Sequence, residues 1–262
     1  MKKILIATVA AVAMASGAAH AADMSMPMKA PMAPAPVWSW TGFYFGGGFG
    51  YGVADLATTP LGVAGPLVGT IDNGAKGWTG QVKAGFDYQF GATPFGNIVA
   101  GVFADWDPSS MRGNFSSGLT SVAVNNPVDG QEKINSSWAV GGRIGFLVAP
   151  TVLTYANGGY TNEHLGAINA FGFGIPGAGG TVTTTSHNQG GWFTGGGFEA
   201  PVTIVPIKGL FFYTEYRYSV FNTSTLAATS TGLGGVLTGL NVKTSVQTVV
   251  SGLDYRFNWT GH

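Results

Sequence analysis

Segment after segment of this 262-residue chain keeps its charges on one face and its aromatic and aliphatic residues on the other. In LFFYTEYRYSV (210–220), Leu210, Phe212, Tyr216 and Tyr218 share one period-two face, and Glu215 and Arg217 share the opposite one. A strand of a soluble antiparallel sheet turns its apolar face to a core and its charges to water. Too much of this segment is apolar for an ordinary surface strand. The rest of the chain decides which face is inside.

From Trp40 onward, eight segments have strand character, near 40–52, 77–90, 96–106, 135–148, 151–161, 190–201, 209–221 and 246–259. Each runs about ten to fourteen residues, against roughly five or six for an ordinary soluble strand. The connections after the second, fourth and sixth are short: GATPF, Ala149-Pro150, and a stretch ending VPIK. Those after the first, third, fifth and seventh are long and rich in Gly, Ser, Thr and Asn. Long strands in even number with alternating short and long connections predict an all-β, antiparallel up-and-down transmembrane barrel, with short periplasmic turns and four long extracellular loops.

The period-two reading repeats. Trp78, Val82, Ala84, Phe86, Tyr88 and Phe90 oppose Gln81, Lys83, Asp87 and Gln89; Trp138, Val140, Ile144 and Phe146 oppose Arg143; Val249, Leu253, Tyr255, Phe257 and Trp259 oppose Asp254, Arg256 and Asn258. Aromatic residues cap the apolar face, as interfacial girdles require. Lys83, Asp87, Asp105, Arg143, Glu199, Glu215, Arg217, Asp254 and Arg256 then share one interior, as a near-neutral lumen charge network. A basic group on the lipid face costs about 2–4 kcal/mol near the midplane, and an open sheet edge is not tolerated in hydrocarbon. So the apolar face meets lipid and the strands close. For the last hairpin, the charges predict Glu215 opposite Arg256 and Arg217 opposite Asp254.

Composition fixes the compartment. Lys2 and Lys3, the apolar run Ile4–Met14 and the cleavage residues Ala19 and Ala21 form a secretory signal peptide over 1–21. Residues 22–39 begin as ADMSMPMKAPMAPAP, an extended periplasmic linker; its methionines lack the His or Cys of a metal site. The exported barrel, 40–262, has no Cys and no apolar run of transmembrane-helix length, IVAGVFA at 98–104 being the longest. Twelve basic and twelve acidic residues exclude a nucleic-acid-binding charge pattern.

WSWTGFYFGGGFGYG (38–52), the Gly-rich strands and GLDYRFNW (252–259) resemble the small eight-stranded outer-membrane barrels of alphaproteobacteria, of the porin-family and OmpA-like type. The resemblance spans the mature chain. It implies an outer-membrane location in a Gram-negative bacterium and surrounding outer-membrane lipid. It also implies recognition of the last strand by the barrel-assembly machinery through Gly252, Tyr255 and Phe257. Val250 stands where that signal usually has a polar residue, and five residues follow Phe257. No peptidoglycan-binding domain is expected after the barrel.

For function, Asp105 and Asp107 in DWDP are paired acids of the kind that activate water, with His164 and His187 elsewhere near the rim. No nucleophile–base–orienter set accompanies them, so the reading is not an enzyme, without cofactor or metal. GGGFGYG and GLGGVLTG lack the Lys-Ser/Thr and helix of a phosphate loop. Eight strands enclose space just wide enough for side chains. Gly46, Gly48, Gly141, Gly195 and Gly197 leave room there for the charged groups to form a plug. The expectation is a monomeric structural barrel that supports the envelope and presents loops. Two alternatives stand beside it: a narrow pore for ions or small solutes, and an adhesin or hydrophobic-ligand binder using the apolar stretches 61–69 and 167–182.

Overall fold

The computed structural model describes residues 38–62, 65–66, 70–93, 96–117, 128–171, 181–230 and 237–257. The signal peptide and the linker as far as residue 37 lie outside them. Twelve antiparallel strands make one sheet: β1 (Gly42–Gly62), β2 (Gly65–Pro66), β3 (Ile71–Thr93), β4 (Gly96–Ser117), β5 (Val128–Ala149), β6 (Val152–Leu165), β7 (Asn169–Phe171), β8 (Thr181–Thr184), β9 (His187–Pro201), β10 (Leu210–Phe221), β11 (Ser224–Ser230) and β12 (Leu237–Arg256). Eight of them close a ring in the order β1-β3-β4-β5-β6-β9-β10-β12, and β12 pairs back onto β1. Closure leaves no edge for lipid to meet.

The faces fall as predicted. The outer wall carries a lower aromatic belt, with Phe43, Tyr88, Phe146 and Phe257, and an upper one, with Tyr51, Trp78, Trp106, Trp138, Tyr160 and Trp192. All nine residues of the expected network are buried.

The tilt can be read from register. Stepping between paired residues from Tyr44 through Gly85, Phe103, Gly141, Gly159, Phe193, Ser219 and Val246 returns to β1 at Ala54, ten residues beyond the start. Such a shear fixes strand tilt at roughly 40° and a narrow interior. Along that path glycine or serine stands beside each of the rings of Tyr44, Phe103 and Phe193, which makes room for them. A Cβ on Gly85 would lie 2.5 Å from the Tyr44 ring, and one on Gly141 would lie 2.8 Å from Phe193 Cζ.

Two expectations are corrected. The register of β10 on β12 sets Glu215 opposite Val250 and Arg217 opposite Thr248, while Asp254 faces Phe211. The predicted Glu215–Arg256 and Arg217–Asp254 pairs therefore do not form across that hairpin. In a tilted barrel, side chains at equal height across the lumen belong to strands that are not neighbours, and long charged groups reach one another there. Several strands also far exceed ten to fourteen residues: β1, β3, β4, β5 and β12 have 20 to 23.

Beyond the upper belt the wall is rebuilt. β6, β9 and β10 stop, and β5 pairs with β7, β7 with β8, β8 with β11 and β11 with β12. The ring continues as eight strands: β1, β3, β4, β5, β7, β8, β11 and β12. Here the faces invert. Leu56, Ala75, Met111, Ile134 and Val242 point into an apolar cluster, while Asp55, Lys76, Arg112 and Lys243 are exposed. The cause is the change of solvent: below the belt the outside is hydrocarbon, above it water. Ile168, from the apolar stretch 167–182, is buried in this cluster; residues 172–180, and 63–64 and 67–69 of the other stretch, lie outside the described residues.

Candidate functional site

The lumen is filled in layers. At the periplasmic end, Trp40 is almost fully buried with Val99, Leu153, Tyr155 and Phe211, and Trp38 packs against them. Trp38, placed by sequence in the linker, packs at a tilt on Phe211 with ring centroids 5.2 Å apart. The Trp40 N–H donates to Gln89 Oε1 at 2.9 Å, and the Gln89 N–H donates to Thr41 Oγ1 at 3.0 Å. These two bonds fold the start of the barrel chain under its own lumen.

Above this stopper sits a ring of alternating charge from four strands: Asp87 (β3), Arg143 (β5), Glu199 (β9) and Arg256 (β12). Arg143 Nε donates to Asp87 Oδ1 at 2.9 Å, and its Nη1 donates to Glu199 Oε1 at 2.6 Å. Arg256 Nη1 donates to Asp87 Oδ2 at 2.7 Å, and its Nε donates to Glu199 Oε2 at 2.9 Å. Each carboxylate is thus held by both guanidiniums, the fork geometry that makes such pairs strong. Aromatic rings cover the cations: the Arg143 guanidinium lies 4.3 Å from the Tyr44 ring, and that of Arg256 lies 4.4 Å from Trp40.

Higher up, Lys83 Nζ lies 2.9 Å from Asp254 Oδ2 and 3.2 Å from the Tyr213 ring centroid. Tyr213 donates its hydroxyl to Gln81 Oε1 at 2.8 Å. Arg217 then joins Asp105, at 2.6 Å, and Glu215, at 2.8 Å, with Asp107 at 3.5 Å. Tyr155 donates to Glu215 Oε2 at 2.9 Å. All nine predicted charges therefore make ion pairs, in three groups instead of one. Asp107 Oδ1, Arg217 Nε and Glu163 Oε2 have no protein partner among the described residues. Their side chains line an enclosed void of about 20 Å³, room for about one water.

Sequence reasoning missed the aromatic half of this plug, Trp40, Tyr44, Tyr155 and Tyr213. The parity of Tyr44 with Gly46 and Gly48 was the available signal. It also missed Glu163 and Glu132, which lie on stretches read as loop or loop-edge. Asp105 and Asp107, the candidate acids, sit inside the lumen against Arg217 and not at a solvated rim. His164 Nδ1 meets Asn188 Oδ1, and His187 meets Ser224; neither imidazole has a carboxylate partner among the described residues. Gly252 lies inward beside Gly48 and Tyr213. Tyr255 and Phe257 lie outward, edge to face at 5.1 Å, and Phe257, just past β12, still donates its N–H to the Phe43 carbonyl at 2.9 Å.

Glu132 stands outside the membrane-spanning part, six residues beyond Trp138 on β5. Its Oε1 accepts from Thr58 Oγ1 at 3.0 Å, and burial pushes its carboxyl up from an ordinary 4.5 to about 7. The folded barrel therefore keeps this proton at pH values where the unfolded chain has lost it. Stability from this group is full below about pH 4.5 and falls as pH rises to about 7, by at most about 3 kcal/mol. Glu132→Gln is expected to remove that slope. In urea titrations from pH 4 to 8, the variant's advantage over the natural barrel should grow from nothing to a plateau above pH 7; parallel curves would show that Glu132 is solvated.

No protein-family model matches the chain. The 31 kDa outer-membrane immunogenic protein of Brucella melitensis is 25% identical over 263 residues, covering 98% of this chain and 100% of the relative. A protein of the same description from Brucella suis matches equally. The crystal structure of the outer membrane protein OprG from Pseudomonas aeruginosa has a TM-score of 0.53 at 13% identity, covering 84% of this chain and 97% of that one. This chain is an outer-membrane β-barrel. Its setting is the outer membrane of a Gram-negative bacterium, with lipid against the belts and the alternating short and long connections at opposite ends. The outer-membrane barrel thus pairs an apolar wall with a lumen whose charges are matched to one another.

Proposed function

We propose that this barrel is a structural component of the outer membrane: a plugged cylinder that braces the envelope and carries strand-built loops on the cell surface. The observation that carries the reading is the Asp87–Arg143–Glu199–Arg256 ring, which joins four strands across the lumen. The buried Trp40 stopper below it and the apolar cluster above it support the same reading. A pore needs a continuous wet path, and the void that Asp107, Glu163 and Arg217 line is about 20 Å³. An enzyme needs groups free to meet substrate, and Asp105 and Asp107 are both engaged by Arg217. On this reading Gly252, Tyr255 and Phe257 serve biogenesis, as the face of the last strand that the assembly machinery meets.

The test is conductance in a planar bilayer. The purified barrel is expected to be electrically silent, and Arg143→Ala, with folding verified by its gel-shift on heating, is expected to show small discrete steps. Steady steps from the natural barrel, enlarged in the variant, would place an ion path in the lumen and favour the pore. A binding role for the loops would appear instead as a surface ligand lost when residues 167–182 are replaced.

A further inference from the structure

Three cations stand side by side on the outer wall above the upper aromatic belt: Lys76 two residues past Trp78, Arg112 six past Trp106 and Lys133 five past Trp138. Lys76 on β3 is the registered partner of Arg112 on β4, and Arg112 is the registered partner of Lys133 on β5. Adjacent strands lie about 4.8 Å apart, so three positive side chains leave the wall within roughly 10 Å of one another. Like charges directly opposite on paired strands repel and destabilise the sheet. A chain with only twelve basic residues has nonetheless aligned three of them.

Among the described residues, no carboxylate neutralises the row. None of the ion pairs among the described residues includes Lys76, Arg112 or Lys133. Asp55 stands diagonal to Lys76, since its registered partner is Gly74, and Asp72 lies four residues further along β3; neither comes within ion-pair distance of the row. Glu132, beside Lys133 in sequence, points inward to Thr58.

The position of the row identifies the missing partner. Each of its three strands also carries an outward tryptophan in the upper belt: Trp78, Trp106 and Trp138, with Trp106 and Trp138 directly paired. Tryptophan marks the boundary between acyl chains and headgroups. Lys76 is two residues past Trp78, about 5 Å higher for a tilted strand, and Arg112 and Lys133 step upward from it with the shear. A ligand here has acyl chains against the tryptophans and anionic groups at the height of the cations.

We propose that Lys76, Arg112 and Lys133 form a binding site for the phosphates of an outer-leaflet glycolipid, that is, lipopolysaccharide. Arg112, in the middle, supplies a planar fork suited to phosphate oxygens, and the two lysines supply point charges on either side. The bound phosphate relieves the repulsion among the three, so the site holds its lipid and the lipid holds the wall. The site is independent of whether the lumen conducts.

The experiment measures the affinity of the detergent-solubilised barrel for fluorescent rough lipopolysaccharide, and for the same lipid after phosphatase treatment. The K76Q/R112Q/K133Q variant is expected to bind the phosphorylated lipid on the order of 100-fold more weakly, at about fivefold per surface cation. The natural barrel is expected to lose affinity comparably for the dephosphorylated lipid. K243Q, which removes a cation of the same wall on β12, is expected to leave binding unchanged, and R112Q alone to weaken it about fivefold. Folding of each variant is read from the gel-shift on heating. Equal affinity of the triple variant and the natural barrel would overturn the proposal, as would equal binding of the two lipids. So would a K243Q loss as large as that of R112Q, which would make the attraction one of overall charge. Competition by millimolar inorganic phosphate alone would assign the site to free anion and overturn the lipid assignment.

Discussion

Replacing Arg143 by alanine is expected to lower the unfolding free energy by about 3–5 kcal/mol, measured by reversible urea denaturation of the barrel in lipid vesicles. The side chain makes hydrogen bonds to Asp87 and Glu199 and stacks against Tyr44 and Tyr155. Removing it leaves two buried carboxylates with Arg256 as their shared cation. The cost comes from the orphaned carboxylates more than from the lost attraction. Asp87→Ala in the same chain should therefore return part of the loss, so that the double variant is less destabilised than the two single losses added together. A loss below about 1 kcal/mol, with additive singles, would match an exposed ion pair and would mean that the ring does not brace the lumen.

An arginine at Val102 is expected to destabilise the barrel by about 2–4 kcal/mol, although Val102 is 64% exposed. On a soluble protein such a substitution at an exposed site is close to neutral. Val102 is outward on β4, midway between Ile98 of the lower wall and Trp106 of the upper belt, and so lies near the membrane midplane. The same substitution at Asn114, outward on the same strand but above the belt, is expected to cost about 0–1 kcal/mol. The chain already places Arg112 at that level. Equal costs at the two positions, in the same vesicle assay, would mean that the belt of Trp78, Trp106 and Trp138 does not mark the membrane boundary.

The spanning part of the barrel was legible because period two is a local property. Glu215 and Arg217 lie on one face of β10 whatever the strand pairs with, and hydrocarbon permits only one choice of face. The same logic hid the upper ring. There the outside is water, so Lys76, Arg112 and Lys243 turn outward while Ala75, Met111 and Val242 turn inward, and a polarity rule learned from the membrane reads these segments as loops. β7 and β8, with three and four residues, carry no independent signal. They are strands because β5 and β12 outrun β6, β9 and β10 and offer unpaired ladder edges.

Which residue faces lipid, how many strands cross and where the turns fall were decided by the sequence, through a pattern each strand carries alone. Which charge meets which was decided by the tertiary structure. A ten-residue shear brings Asp87, Arg143, Glu199 and Arg256, from four non-adjacent strands, to one height. It also moves Arg217 away from Asp254 and toward Asp105 on the far wall. Shear belongs to the closed ring as a whole, and no single strand encodes it.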